Sequence, residues 1–264
     1  MDLGDAVGPL LQQFPPAELG RRIQAYLRAY ALRMTDHERV GPFLASFDCE
    51  NDNPYRSYAV PDDGAFPSPV DVEALIAAFV RRRRTPRLEY VAEAAPAVEP
   101  ALMAKEFRPE KRFPLLICVP AMLCDISAGE VEIGLAQDDR DVVAAAEVGA
   151  EAFGGAVYPD PLRQLVEHGG VLLVVRDEKT RSVVGAGIGT PAHDGVSEVA
   201  GIGVRAAFRC RGIGGAVTAA VAREMFARGF TLAWTTPGHD RAERTYQSAG
   251  FVRATEQLHI SRRK

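Results

Sequence analysis

The segment RCRGIGG places three glycines and two arginines just where a helical pattern begins. The first four backbone N–H groups of a helix have no intrahelical partner, and the helix dipole adds positive charge there. Gly212, Gly214 and Gly215 leave the backbone open to close approach, and Arg209 and Arg211 carry charge suited to phosphate. The segment therefore predicts an anion site that takes a phosphate. A tight turn with solvated arginines is the alternative.

Two other phosphate-binding motifs explain this region less well. The chain contains no GxxxxGK[ST] segment, which excludes the P-loop of nucleotide triphosphatases. The segment GIGVRA has the GxGxxA spacing of a dinucleotide-binding fingerprint, which must close a strand and open a helix at once. Here the glycines lie within an apolar strand pattern, and the helical pattern begins about ten residues later. We therefore interpret GIGVRA as a chance match, and a dinucleotide oxidoreductase is a distant alternative.

Apolar periodicity predicts the elements that position the loop. From residue 130 onward the pattern gives the order β-α-α-β-β-β-α-β-α-β, with a hairpin at Asp194-Gly195 and a helix end at Gly229. The strand before the loop is SEVAGIGV, and TLAWTTP and FVRATEQLHIS are the last two strands. The predicted fold class is α/β (α+β), a mixed sheet covered by helices.

These residues resemble the GNAT superfamily of acyl-CoA-dependent N-acetyltransferases. RCRGIG matches the superfamily motif Q/R-x-x-G-x-G/A, and the strand EVAGIGV, the strand TLAWTT and the segment YQSAGF are similar to the rest of that fold. The resemblance covers roughly residues 130–262. It implies a GNAT-like mixed, mostly antiparallel twisted sheet flanked by helices, with acetyl-CoA as co-substrate.

The resemblance also implies how acetyl-CoA would be held. The loop would bind the pyrophosphate through its backbone amides, and the pantetheine arm would lie along the preceding strand, which splays from TLAWTT. The implied cofactor-binding residues are Ile202, Gly203, Val204, Arg209, Cys210, Arg211, Gly212, Ile213, Gly214 and Gly215. No metal is expected, because the sequence has no HxxxH, HExxH or cysteine cluster.

Acyl transfer to an amine needs a neutral amine, a polarised thioester carbonyl and a protonated leaving thiolate. Glu198 is the one acid in an otherwise apolar strand and is the candidate base. Strand alternation places it on the same face as Ala200, Ile202 and Val204. The resemblance assigns the acid to Tyr246 and carbonyl polarisation to the Val204 N–H. The alternatives are a polar residue at a strand start and a half-buried core tyrosine.

Four further residues lie near these positions in the sequence. Phe153 and Tyr158 flank the join of two helices that borders the acceptor site in the superfamily, and we expect them to bind substrate or to pack in the core. Asp240 and Glu243 have the D-x-x-E spacing of a helix cap. The segment DCENDN lacks the glycine that a calcium loop needs.

The first half predicts a second unit of the same kind. Residues 85–119 have a β-α-β pattern that resembles the end of a GNAT unit, with Lys105-Glu106-Phe107 in place of x-G-F. The helical pattern over residues 70–84 would be the counterpart of the cofactor helix, yet its start, AFPSPVDVE, lacks RxxGxG. We therefore expect a degenerate GNAT-like accessory domain at 1–125 and a catalytic domain at 130–264.

Composition narrows the functional class. The formal charge of the 264 residues is −4 and neither half is basic, which argues against nucleic-acid binding. No basic, apolar leader and no apolar run of about 18 residues is present, so we expect no membrane segment. Four cysteines without a CxxC pair favour a reducing, cytoplasmic setting. The run Arg81–Arg84 is interpreted as a solvated helix end.

The sequence as a whole predicts an acetyl-CoA-dependent N-acetyltransferase. It would transfer an acetyl group to a primary amine of a small molecule or peptide by direct attack in a ternary complex. The alternative is a non-catalytic acyl-CoA-binding sensor that kept the loop and lost the acceptor chemistry. The chain could act as a monomer or as a homodimer.

Overall fold

The computed structural model describes residues 16–33, 36–48 and 56–262, with only the backbone at 16 and 17. Most of the segment DCENDN lies outside the described residues. The chain forms two compact units. The first comprises residues 1–115 and 254–264, and the second comprises residues 116–253.

Each unit contains strands and helices in alternation. The first contains α1 (Pro16–Ala31), β1 (Asp36–Val40), β2 (Phe43–Phe47), β3 (Tyr58–Pro61), α2 (Pro69–Arg81), β4 (Arg87–Val91), α3 (Val98–Met103) and most of β5 (Arg108–Cys118). The second contains β6 (Val131–Leu135), α4 (Asp139–Phe153), α5 (Asp160–Glu167), β7 (Val171–Asp177), β8 (Val183–Gly189), β9 (Val196–Val204), α6 (Ile213–Ala227), β10 (Leu232–Thr235) and α7 (Asp240–Ser248). The last strand is β11 (Val252–Ser261).

Strand pairing is mostly antiparallel in both units. Strands β1, β2 and β3 pair antiparallel, and β3 then pairs parallel with β4. In the second unit, β6 to β9 pair antiparallel, and β9 pairs parallel with β10. Helices flank these strands, so the predicted mixed, mostly antiparallel sheet is confirmed.

Each unit is completed by a strand segment that comes from the other half of the sequence. β11 follows α7 of the second unit but pairs with β4 of the first. Residues 116–118 at the end of β5 pair with β10 of the second unit. The compact units therefore differ from the predicted domains at both edges, because a strand is completed by its pairing partner and not by its neighbours in sequence.

The two units share a local frame at the end of one helix. α7 ends with Gly250 at φ 98°, and the Phe251 N–H donates to the Tyr246 carbonyl oxygen at 3.2 Å. α3 ends with Glu106 at φ 67°, and the Phe107 N–H donates to the Leu102 carbonyl oxygen at 3.2 Å. The segment Lys105-Glu106-Phe107 thus takes the conformation of an x-G-F turn, as predicted. By this alignment Leu102 occupies the position of Tyr246.

The arginine run at the end of α2 is not simply solvated. Arg82 donates to Asp36 at 2.8 Å and to Glu38 at 2.7 Å, and its guanidinium lies 4.1 Å from the centre of the Phe47 ring. Hydrogen bonding from Arg82 lowers the pKa of Glu38 below its ordinary value. These partners lie on and beside β1, a polar strand that the sequence pattern did not predict.

The residues with defined placement include no helix of the length and apolarity needed to span a bilayer.

Candidate functional site

The loop between β9 and α6 forms an open helix start. Cys210 and Gly212 both have left-handed backbone conformations, with φ of 65° and 78°. Gly212 is the N-cap of α6 and supplies no side-chain cap, and the first turn contains no acid. A left-handed residue followed by a right-handed one turns successive N–H groups inward and forms an anion-binding nest. The GIGVRA glycines lie within β9, so the dinucleotide interpretation was correctly rejected.

Three arginines surround this helix start. Arg209 donates to the Val204 carbonyl oxygen at 3.0 Å, and Arg211 donates to the Ala207 carbonyl oxygen at 3.1 Å. Arg241 donates to Cys210 Sγ at 3.0 Å. None of the three forms an ion pair with a carboxylate in the described part of the chain, and all are exposed. Sequence reasoning missed Arg241, which is 31 residues from Cys210 and joins the loop only through helix packing.

The three glycines of the loop have different reasons for lacking a side chain. A Cβ at Gly212 would meet nothing within 4 Å, so only this position opens to solvent. A Cβ at Gly214 would lie 3.1 Å from Thr245 Cγ2, and one at Gly215 would lie 2.8 Å from Ser248 Oγ. The second and third glycines therefore let α7 pack closely on α6. Open space of the kind that a phosphate would need is therefore present at Gly212, whereas Gly214 and Gly215 lie against α7.

Strands β9 and β10 form a fork. Their parallel register runs from Val196 opposite Leu232 to Glu198 opposite Trp234, and the described residues show no pairing beyond it. The rest of β9 has an open edge toward β10. The Arg205 N–H donates to the Val184 carbonyl oxygen of β8 at 2.8 Å. Because successive strand N–H groups point to opposite edges, the N–H of Val204 points to the open edge.

A β-bulge interrupts β9 inside the fork. Gly203 is opposite Ala186 but Ala200 is opposite Ile188, so β9 carries one extra residue, at Gly201 (φ 60°). Because of the extra residue, the side chains before and after the bulge do not follow one regular alternation between the two faces of the sheet. Ile202 and Val204 pack into the apolar core under α6. Ala200 and Glu198 lie on the opposite face, so the prediction that Glu198 shares a face with Ile202 and Val204 was wrong.

Tyr246 approaches the fork from the α6 face. It is 9% exposed, and its ring makes an edge contact with Phe251, with centroids 5.9 Å apart. Burial raises the pKa of the Tyr246 phenol, the Glu198 carboxylate raises it further, and hydrogen bonding with the Thr235 side chain opposes both. The structure thus brings Tyr246, Glu198 and Thr235 together where β9 and β10 part. Thr235 was not singled out by any sequence pattern.

Thr190, the residue that follows β8, fixes the backbone of Glu198 with two hydrogen bonds. The Glu198 N–H donates to Thr190 Oγ1 at 2.9 Å, and the Thr190 N–H donates to the Glu198 carbonyl oxygen at 2.9 Å. Val204 lies about 20 Å along β9 from Glu198, since six residues of strand separate the two, so Val204 is not close to Glu198 and Tyr246. The N–H of Ile202, like that of Val204, points to the open edge of β9. Ile202 lies nearer than Val204 to the point where β9 and β10 separate.

The candidate substrate residues lie on the surface. Phe153 and Tyr158 are 65% and 63% exposed. Phe153 ends α4, and the preceding Ala152 lies 3.3 Å from a Cβ built on Gly203. Phe153 is therefore at the loop end of β9, away from Glu198. Neither side chain packs in the core, so the core-packing alternative for these two residues is removed.

The start of α7 is capped differently from the prediction. His239 is the N-cap, and its Nδ1 accepts a hydrogen bond from the Ala242 N–H at 3.1 Å. Glu243 instead pairs with Arg253 at 2.9 Å. The D-x-x-E spacing of Asp240 and Glu243 is therefore not a capping box.

The first unit repeats the frame of the site without its chemistry. α2 is capped by Ser68, whose Oγ accepts from the Asp71 N–H, while the Asp71 carboxylate accepts from the Ser68 N–H at 2.8 Å. This carboxylate occupies the helix end that is open in α6. Leu102, which cannot supply a proton, occupies the position of Tyr246.

The gap between β3 and β4 is also filled in the first unit. Gln24 of α1 is fully buried. Its Nε2 donates to the Pro61 carbonyl oxygen at 3.2 Å, and its Oε1 accepts from the Val91 N–H at 3.2 Å. One side chain therefore bridges the ends of two strands that pair only at Ala59 and Leu88. The counterpart gap in the second unit has no such bridge in the residues described there.

Replacing Gln24 with Leu should lower the free energy of unfolding by about 1–3 kcal/mol, because it leaves the buried Val91 N–H unsatisfied, whereas the Pro61 carbonyl oxygen still accepts from Arg28 at 3.0 Å. Urea unfolding followed by circular dichroism measures the change. Gln247→Leu, at an exposed position of α7, is the matched control and should change it by less than about 0.5 kcal/mol. A loss below about 1 kcal/mol for Gln24→Leu would show that the gap closes without this side chain.

The described residues contain no group of three or more His, Cys, Asp or Glu side chains arranged to hold a metal ion.

Comparison with known proteins places this geometry in context. Residues 133–251 match the family model described as acetyltransferase (GNAT) family. A GCN5-related N-acetyltransferase from Kribbella flavida is similar over 93% of this chain and 96% of that chain, with a TM-score of 0.80 and 25% identity. Among proteins of curated function, none matches this sequence.

Two more distant structures share the fold. A GCN5-related N-acetyltransferase from Sphaerobacter thermophilus has a TM-score of 0.63 and 15% identity, over 84% of this chain and 76% of that one. A tandem GNAT protein from the clavulanic acid biosynthesis pathway has a TM-score of 0.60 and 12% identity, over 84% of this chain and 80% of that one.

Proposed function

We propose that this protein is an acetyl-CoA-dependent N-acetyltransferase whose second unit carries the reaction, because residues 133–251 match the acetyltransferase (GNAT) family model. The acceptor is a primary amine of a small molecule or peptide, which attacks directly in a ternary complex. The observation that carries the proposal is the uncapped start of α6 beside three arginines that have no carboxylate partner in the described chain. Such a site suits the phosphates of a CoA ester.

The residues of the loop and of β9 fit an acyl-CoA. The N–H groups of Ile213, Gly214 and Gly215 would hold the pyrophosphate, and the open space at Gly212 admits it. The N–H of Val204, on the open edge of β9, would pair with the pantetheine arm. When bound, acetyl-CoA supplies the thioester whose acetyl group is transferred.

Glu198 and Tyr246 lie on opposite faces of the sheet where β9 and β10 separate, and each would make one of the two proton transfers. Glu198 lies on the α4 face and would accept the proton of the attacking amine, directly or through one water. Tyr246 lies on the α6 face and would donate its proton to the departing sulfur. The Ile202 N–H, next to the bulge, is the backbone donor best placed to polarise the thioester carbonyl.

The first unit would not bind a second acyl-CoA. Its helix start is capped by Ser68 and Asp71, its tyrosine position is Leu102, and Gln24 fills its strand gap. We therefore assign it an accessory role. This supports one acyl-CoA bound per chain.

The decisive experiment is calorimetric titration of acetyl-CoA into the full chain and into Gly212→Asp. The left-handed φ of Gly212, 78°, costs aspartate about 1–2 kcal/mol, but a Cβ there meets nothing within 4 Å, so this variant should keep its fold while it adds a carboxylate at the start of α6. We expect acetyl-CoA to bind the wild type and to bind the variant at least about 30-fold more weakly, because the added carboxylate both repels the phosphates and takes up their N–H donors.

Gly229→Asp is the matched control. Gly229 also has a positive φ, 86°, and open space around it, but it lies just after the opposite end of α6. Its affinity should stay within about threefold of the wild type, because helix-dipole effects fade within one turn. Equal losses in both variants would point to the fold and not to the loop. No binding to the wild type would sink the proposed function.

Turnover separates the enzyme from a sensor. A screen of amines with acetyl-CoA, monitored by release of the CoA thiol, should find a substrate. Tight acetyl-CoA binding without turnover of any amine would favour the non-catalytic acyl-CoA sensor. We infer that the exposed ring of Tyr158 borders the acceptor pocket, so Tyr158→Ala should raise the KM of the amine, whereas Phe153, at the loop end of β9, is too far from Glu198 to take part.

A further inference from the structure

The third arginine of the loop comes from a separate helix. Arg241 lies in the first turn of α7, and its guanidinium reaches Cys210 Sγ at 3.0 Å. α7 is fixed against α6 by the contacts that Thr245 and Ser248 make at Gly214 and Gly215. The position of Arg241 beside the loop is therefore set by the packing of two helices and does not depend on the loop alone.

The partner of Arg241 is a weak one. A thiol accepts hydrogen bonds poorly, whereas two exposed arginines near the ends of α6 and α7 pair with carboxylates, Arg228 with Glu224 and Arg253 with Glu243. No ion pair of Arg241 is present among the described residues. Its charge is therefore not neutralised, and exchanging the thiol for a phosphate would give up little.

The fork sets the direction in which an acyl-CoA would lie. Its thioester end would point inward to the buried Tyr246, so its nucleotide end would leave past the exposed Cys210 and Arg241. The pyrophosphate would be met by the N–H groups of α6, flanked by Arg209 and Arg211 on the β9 side. The phosphate left without a partner is the one on the ribose.

Building on the proposed acetyl-CoA site, we propose that Arg241 determines specificity by binding the 3′-phosphate of CoA. Cys210 holds the guanidinium in place until the phosphate replaces the sulfur as acceptor. The protein would then prefer CoA esters to their 3′-dephospho counterparts.

The test compares the Kd of acetyl-CoA with that of acetyl-3′-dephospho-CoA by calorimetry. The wild type should bind acetyl-CoA about 10-fold or more tightly than the analogue, as one charge-assisted contact allows. Arg241→Gln should weaken acetyl-CoA binding about 10-fold and the analogue less than about twofold, which brings the ratio near one. Circular dichroism verifies that the variant is folded.

Arg223→Gln removes the same charge from α6, where Arg223 pairs with the exposed Asp125 at 2.5 Å, and should preserve the ratio. Equal weakening of both ligands by Arg241→Gln would overturn the assignment, because it would place Arg241 on the shared pyrophosphate. A wild type that binds both ligands equally would also overturn it while leaving the proposed function intact. A wild type that binds neither ligand would remove both.

Discussion

Tyr246→Phe is expected to lower kcat for amine acetylation by about 10²- to 10³-fold, which is the usual contribution of a positioned general acid. The Kd of acetyl-CoA should stay within about threefold, because the ring and its contact with Phe251 are retained. The phenol would protonate a thiolate whose ordinary pKa is about 8.5. Steady-state kinetics with the amine found by screening, together with calorimetry, measure both quantities.

The pH profile gives a second readout of the same group. Burial and the Glu198 charge raise the pKa of the Tyr246 phenol above its ordinary value, so the acid form persists through neutral and mildly alkaline pH. A raised pKa means that the donating form is complete at low pH and is lost only as pH rises through the folded value. Activity that depends on this proton should therefore fall only above pH of about 10.

Tyr90→Phe is the control for this substitution. Tyr90 lies in the first unit, is fully buried, and its pKa is raised mainly by burial, so its phenol resembles that of Tyr246 in environment. Its hydroxyl has no hydrogen-bond partner among the residues that the structure describes, so removing it should not disturb the fold. We expect kcat to be unchanged. A Tyr246→Phe variant within about fivefold of the wild type would mean that the thiolate leaves without this acid.

Gly250→Ala should lower the free energy of unfolding by about 2–5 kcal/mol. The left-handed backbone, φ 98°, costs a non-glycine residue about 1–2 kcal/mol. A Cβ at this position would also overlap the Met122 carbonyl oxygen, which is backbone and cannot rotate away. Overpacking adds about 1–3 kcal/mol. Urea unfolding of wild type and variant measures the difference.

Gly229→Ala measures the backbone cost alone, and the difference between the two variants gives the steric part of the effect. Gly229 ends α6 with φ 86°, in the same left-handed position after a helix, but a Cβ there meets nothing within 4 Å. We expect a loss of only about 1–2 kcal/mol from the backbone conformation. Equal losses for the two variants would show that the segment around Met122 yields to the new methyl group and that the contact is not tight.

Features written in consecutive residues were predicted well. The glycine-rich start of α6 was predicted because its glycines, arginines and helix start are adjacent in sequence. The hairpin at Asp194-Gly195 was found because a two-residue turn needs both residues at positive φ, and they have 48° and 72°. The x-G-F turn after Tyr246 was found for the same reason, since its geometry is set within six residues.

The face on which a β9 side chain lies depends on one extra residue in that strand, and it was predicted poorly. Strand alternation gave the wrong face for Glu198, because a bulge at Gly201 reverses every side chain beyond it. A glycine in a strand pattern permits a bulge but does not require one. The register of β8 against β9 decided it.

The sequence by itself determined that a glycine-rich helix start and a tyrosine-bearing helix follow one another in the second half of this chain. Only the tertiary structure decided that Arg241 reaches the loop, that Thr235 meets Tyr246, and that Gln24 fills the gap of the first unit. Local motifs are fixed by backbone conformation over a few residues. These three contacts join residues far apart in sequence, and they exist only because helices and strands pack against each other in one arrangement.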